Sequence, residues 1–202
     1  MTQELGIQGV RVGHYTDRQG GTGCTVILCP EGATGAAEVR GQAPGTRETD
    51  ILSPFSSVSE VNAVVLCGGS ANGLAAATGA ARYLEELGHG VETPYGRIPL
   101  VSAAVIFDLP VGDPKARPSA EDAYKAAVAA GTRVEEGSVG AGTGATVVHR
   151  ADERFAMCSV FKTLAAAAVM DRGPLSRLDK RVRYTRDDLV TSAHDLSDGG
   201  LA

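Results

Sequence analysis

Val61-Asn-Ala-Val-Val-Leu-Cys67, then Gly68-Gly-Ser-Ala-Asn-Gly73, then Leu74, Ala77, Ala81, Leu84 and Leu87 at three- and four-residue steps: this succession decides the fold class. A largely apolar run of that length reads as a strand buried on both faces. The spacing that follows lays one apolar stripe along a helix, and Gly88 stands where such a helix would end. Strand, glycine loop and helix in that order point to an α/β protein of layered sheets with packed helices. The loop fits neither the dinucleotide pattern nor the phosphate loop with its lysine. Its backbone N–H groups at a helix start are able to receive an anion, a carboxylate or an oxyanion. Close packing of the helix on the strand requires the same glycines and is the reading we prefer. Gly68, Gly69, Ser70 and Asn72 are therefore carried forward as candidates for a substrate loop.

Outward from this stretch the chain is β-rich on its N-terminal side. Val10 to His14 and Gly23 to Cys29 are short β-branched runs bounded by glycine, which suit strands. Pro30-Glu-Gly32 is expected to turn the chain into a further strand, Gly35 to Arg40, and Gln42 to Pro54 has turn formers without periodicity, so it reads as loop. On the C-terminal side, Ile98 to Leu109 is expected to form one long strand. Ser119 with Asp122 three residues on is a capping-box pattern, and Ala120, Ala123, Tyr124 and Ala127 keep helical spacing behind it. Glu136-Gly-Ser-Val-Gly-Ala-Gly-Thr-Gly144 is the most glycine-dense stretch. Glycine there lets another backbone approach closely, in a packed turn or in the wall of an active site, so Gly140, Gly142 and Gly144 join the substrate-loop candidates.

Composition bounds the rest. With 202 residues, 26 glycines, no tryptophan and 4% aromatics, the core must be built from small aliphatic side chains. A net charge of −5 gives no electrostatic basis for nucleic acid, and the basic cluster around Lys180 to Arg183 is diluted by Asp179, Asp187 and Asp188. The four cysteines lack the paired spacings of a zinc site and the four histidines are scattered, so neither a metal nor a cofactor is expected. Cys29 and Cys67 end apolar runs, where a thiol serves as a small buried hydrophobe. No stretch reaches transmembrane length, and a cytoplasmic protein without membrane contact is the expectation.

Several motifs in order carry a resemblance: Thr22 to Gly32, Val39 to Asp50, Gly68-Gly-Ser70 with its helix, Gly96-Arg-Ile-Pro99, Phe107 to Pro118, and Glu136 to Thr146. Over about residues 7–146 the chain resembles the L-aminopeptidase/D-esterase family of N-terminal-nucleophile hydrolases. The resemblance implies the front half of an αββα fold, a small peptide or amide substrate, and homo-oligomers. It also implies a precursor that cuts itself, so that a new N-terminal Ser or Thr, activated by its own α-amino group, attacks amides or esters. In that family the nucleophile lies well beyond the glycine-dense segment, so this chain alone is expected to be inactive, with exposed sheet edges and a partly open core.

Residues 147–202 read differently. Arg150 to Asp188 resembles the active-site helix region of class A β-lactamases around Ser159-Val-Phe-Lys162. A helix starting at Ser159 puts Lys162 one turn on, where its amine is able to take the hydroxyl proton; Ser159 and Lys162 are the catalytic candidates of this second reading. No Lys-Thr-Gly strand or complete Ser-Asp-Asn accompanies them. Ser192 to Ala202 resembles a segment of phosphoribosylformylglycinamidine synthase. The expected division is thus an incomplete aminopeptidase-like α/β domain, 1–146, followed by a lactamase-like helical segment and tail, 147–202, and a non-catalytic composite chain is the third possibility.

Overall fold

A computed structural model of the chain describes residues 2–58 and 60–143. Its elements in order are β1 (Thr2–Glu4), β2 (Arg11–Asp17), β3 (Thr22–Thr34), β4 (Thr46–Arg47), β5 (Glu60–Cys67), α1 (Ala76–Glu86), β6 (Val91–Thr93), β7 (Gly96–Ile98), β8 (Val101–Val105), α2 (Ala120–Val128) and β9 (Arg133–Glu135). The central sheet is five-stranded and mixed, in the order β2-β3-β5-β8-β4, with β5 and β8 parallel and the other pairs antiparallel. The parallel pair needs a crossover, and residues 68–100 supply it with α1 and the β6–β7 hairpin. A separate two-stranded pairing joins β1 to β9.

Alternation along the strands sends one set of side chains to a helix layer. Cys24, Val26 and Leu28 of β3, Ala63, Val65 and Cys67 of β5, and Val101, Ala103 and Val105 of β8 form one buried cluster with Ala76, Ala77, Ala80 and Leu84 of α1 and Ala123, Ala126 and Ala127 of α2. The expected small-residue core is therefore present, and it lies between one face of the sheet and two helices. On the other face Ile27 and Leu66 are only partly buried, against a smaller cluster around Leu52 and Val64.

Both helices form where their spacing places them. The capping box is complete: Ser119 Oγ accepts the Asp122 N–H at 3.2 Å, and the Asp122 carboxylate accepts the Ser119 N–H at 3.0 Å. Gly88, at φ 75°, follows the end of α1. A 3-10 turn, Ser70–Ala75, precedes α1, so the regular helix starts later than the glycine loop.

The strands correct the sequence reading in three places. Pro30-Glu-Gly32 does not end β3; a register shift between Leu28 and Ala33 absorbs it as an irregularity, with Gly32 at φ 81°, and β3 runs on to Thr34. Gly35 to Arg40 is accordingly not a strand. Ile98 to Leu109 divides into the end of β7 and the shorter β8, because Pro99 lacks the N–H that a continuous ladder requires. Within Gln42 to Pro54 lie β4, which pairs with β8, and a 3-10 turn, Thr49–Leu52. The short polar strands β1 and β9 have no apolar alternation to betray them. Residues 147–202, with Gly144, Ser159 and Lys162, lie outside the described residues.

The helices cross at Gly79, where an added Cβ would stand 1.7 Å from the carbonyl oxygen of Ala120. Beside it, Tyr83 and Tyr124 meet edge to face with centroids 5.7 Å apart, and the Arg82 guanidinium lies 4.2 Å over the Tyr124 ring. Gly79→Ala should gain about 1 kcal/mol of helix propensity but lose about 1–3 kcal/mol to overpacking, so the net effect is destabilising. A fall in the urea midpoint is the expected result, and an increase would show that the crossing can open without penalty.

Candidate active site

The two glycine loops meet at Gly23. Gly68 donates its N–H to the Gly23 carbonyl at 2.9 Å, and a Cβ on Gly23 would lie 2.4 Å from the carbonyl oxygen of Gly140. Sequence positions 68 and 140 thus come together at the end of β5, although nothing in their spacing announces it.

Gly69 and Ser70 both have left-handed backbone, at φ 80° and 55°. For a serine this conformation costs of order 1–3 kcal/mol unless the surroundings impose it. Here they do: the Gly69 N–H donates to Asp108 Oδ1 at 2.6 Å, and the Ser70 N–H donates to the Ile106 carbonyl at 3.0 Å. Asp108 is buried, and its other oxygen accepts the Thr22 hydroxyl at 2.7 Å. A Cβ on Gly68 would sit 1.9 Å from Asp108 Oδ2 and 2.2 Å from Thr22 Oγ1, and one on Gly73 would sit 1.9 Å from the Gly68 carbonyl oxygen. Close packing accounts for these two glycines. The N–H groups of Gly68, Gly69 and Ser70 all point inward to protein acceptors, while Asn72 is exposed.

The second loop closes over the sheet face opposite the helices. A cleft of 390 Å³ opens there, with a floor that includes Thr25, Leu66, Ala104 and Ile106, and a wall of residues from Glu135 to Gly142. Gly140, at φ 56°, lies against the floor: its added Cβ would meet Thr25 Oγ1 at 2.2 Å and His14 Nδ1 at 2.6 Å. Its N–H donates to Thr16 Oγ1 at 2.9 Å, and the Ala141 N–H donates to Thr25 Oγ1 at 3.2 Å. Gly142 lines the cleft.

His14 is the titratable group of the floor. Its Nδ1 shares a hydrogen bond of 2.9 Å with Thr25 Oγ1, whereas Nε2 is buried and has no protein partner. Burial holds its pKa below the ordinary 6.5, against the upward pull of Glu135. The cleft therefore combines an apolar floor, a neutral imidazole and two exposed carboxylates, Glu135 and Glu136, on one wall. Among the described residues no group of three or more His, Cys, Asp or Glu side chains is arranged to hold a metal, and no helix is long and apolar enough to cross a membrane.

The fold gathers the candidate residues Gly68, Gly69, Ser70, Gly140 and Gly142 beside His14, Thr22, Thr25 and Asp108, four residues that the sequence motifs do not single out. Asp108 had a signal: it is the one charged residue in the apolar stretch Ile98 to Leu109. His14 and Thr25 had none, because their meeting depends on the β2–β3 register, in which they are partners.

A family model described as Peptidase family S58 matches residues 5–150. An uncharacterized aminopeptidase of Mycobacterium tuberculosis is 52% identical over 144 residues, covering 67% of this chain and 42% of the relative. A second, from Mycobacterium leprae, is 50% identical over 155 residues, covering 69% and 43%. The chain thus spans less than half the length of these relatives. A β-lactamase of Mycobacterium tuberculosis is 54% identical over 48 residues, 24% of this chain and 16% of that protein. Among solved structures, the PH0078 protein from Pyrococcus horikoshii OT3 shares the fold at a TM-score of 0.55 and 24% identity, over 68% of this chain and 43% of that one.

The sign of the His14 shift gives a pH dependence. An unfolded histidine takes up its proton near 6.5, and the folded one resists it to lower pH. Between those values the unfolded state binds more protons, so stability falls as pH drops below 6.5. His14→Gln should flatten this part of the profile, measured as denaturation midpoint against pH; an identical slope in the variant would assign the effect elsewhere.

Proposed function

The chain belongs to peptidase family S58, and from that membership we propose that it forms the substrate-binding portion of an L-aminopeptidase/D-esterase-type hydrolase of small peptide amides or esters. The observation that carries this reading is the cleft on the open sheet face, enclosed by the glycine-rich wall within the family match. Its floor suits an apolar side chain. Glu135 and Glu136 are placed to attract a cationic amino terminus, which is the feature an aminopeptidase must recognise.

The nucleophile comes, in this proposal, from a second segment of the length that the relatives have and this chain does not span. Covering the open face would bring a hydroxyl and its activating amine to the cleft and exclude water from it. Co-expression with the C-terminal portion of the Mycobacterium tuberculosis relative should produce cleavage of amino-acid p-nitroanilides that neither piece shows alone. If a soluble complex forms and remains inert, the proposal fails.

A second reading concerns Ser159 and Lys162, and the 54% identity to a β-lactamase over 48 residues favours it. A serine acyl-enzyme would form when the Ser159 hydroxyl, its proton taken by Lys162, attacks a lactam carbonyl and the ring C–N bond breaks, the proton passing on to the departing nitrogen. Intact-mass measurement after incubation with a penicillin is expected to show one acyl adduct that Ser159→Ala abolishes; unchanged mass in the parent chain would remove this reading.

A further inference from the structure

Cys24 and Cys67 are register partners on the neighbouring strands β3 and β5. The next rung of the ladder fixes what kind of pair they are. Gly68 donates its N–H to Gly23, so Gly23/Gly68 is the hydrogen-bonded pair and Cys24/Cys67 the non-hydrogen-bonded one beside it. In such a pair the Cα atoms stand about 4.5 Å apart and the side chains come closest. A disulfide usually spans Cα separations of roughly 4.4–6.8 Å. Both thiols point to the helix layer and are fully covered, at 0% and 1% exposure. Cys29, an odd number of residues beyond Cys24, belongs to a different cluster with Val10.

We propose that Cys24 and Cys67 are a cross-strand dithiol–disulfide pair, a reversible covalent bond at the root of the Gly68–Ser70 loop. Its place gives it a consequence beyond stability. Thr22 and Gly23, just before Cys24, hold Asp108 and Gly68, and Gly68 directly follows Cys67. Joining the two sulfurs ties the strand that anchors the loop to the strand that leads into it.

The bond forms by exchange with a small disulfide such as oxidised glutathione. One cysteine thiolate attacks a glutathione sulfur, making a mixed disulfide and releasing one glutathione. The second attacks the protein sulfur of that mixed disulfide, forming the Cys24–Cys67 bond and releasing the other glutathione. Two protein thiols are oxidised, one glutathione disulfide is reduced to two thiols, and the two protons pass to the leaving thiolates.

Burial, assisted by the charge of Asp122, pushes the Cys24 thiol up to about 12, and burial raises Cys67 as well. Thiolate is therefore scarce in the closed molecule, and exchange proceeds through openings of the helix layer.

The test uses the full chain, incubated with oxidised glutathione with and without sub-denaturing urea, then blocked with N-ethylmaleimide and mapped by protease digestion and mass spectrometry. The expected product is a linked pair of peptides carrying Cys24 and Cys67, lighter by two hydrogen atoms, formed several-fold faster in urea and reversed by dithiothreitol. A Cys29→Ala/Cys158→Ala variant should give the same link; if that variant does not fold, the map of the parent chain decides. Glutathione adducts alone, links to Cys29 or Cys158 instead, or Cys24 and Cys67 fully blocked after the incubation would each overturn the proposal.

Discussion

At Gly79, at Gly13 and at Gly73 the structure leaves no room for a methyl group, because each α-carbon lies against another stretch of main chain. The near atoms are the carbonyl oxygens of Ala120, Ala126 and Gly68, all within 2 Å of where a Cβ would stand. This contact between backbones governs the fold. It brings α1 onto α2, α2 onto β2, and the 3-10 turn before α1 back onto Gly68. The core that remains is thin enough for alanine, valine and cysteine to fill it, without a tryptophan. Interiors are packed to crystal density, so small side chains and close layers are two statements of one constraint.

That constraint also fixes where the chemistry sits. With both α-helices drawn against one face, the other face of the sheet retains the partly buried Ile27 and Leu66 and the floor of the cleft. Asp108 connects the two sides. It stands beyond the end of β8, and its carboxylate fixes Gly69 and Thr22, whose neighbours Gly68 and Gly23 join the strands that carry the cleft floor. A buried carboxylate that receives two short hydrogen bonds is held by them, and the left-handed serine that follows Gly69 is fixed by its own bond to the Ile106 carbonyl.

The fold class was legible in the sequence where pattern is local. Val61 to Cys67, the stripe through Ala77, Ala81 and Leu84 and the Ser119–Asp122 cap depend only on neighbours in the chain, and each forms where its spacing places it, whereas Leu74 falls in the preceding 3-10 turn and Leu87 stands exposed just past the helix end. Expectations failed where a distant strand decides. Pro30 and Gly32 look like a turn, yet the ladder with β5 resumes past them at Ala33; Ile98 to Leu109 looks continuous, yet only Val101–Val105 has a partner in the central sheet. The site was legible mainly through its glycines and Ser70, with Asp108 marked only as the one charge in an apolar stretch. Among its other polar members, His14 meets Thr25 through the β2–β3 register and Thr22 meets Asp108 through a side-chain hydrogen bond, and no periodicity encodes either meeting.

The pairing of β1 with β9 joins the first and last strands of the described region, Thr2–Glu4 to Arg133–Glu135. During synthesis Thr2–Glu4 leave the ribosome before this partner exists and stay unpaired until more than a hundred further residues have followed. The parallel pairing of β5 with β8 also waits for its crossover to be made. Contacts so far apart in the chain are slow to close, because the entropy of the intervening loop is lost before they form. The nascent chain thus passes through an interval with Thr2–Glu4 unpaired and half a sheet assembled, when its unpaired strand edges are open to other chains.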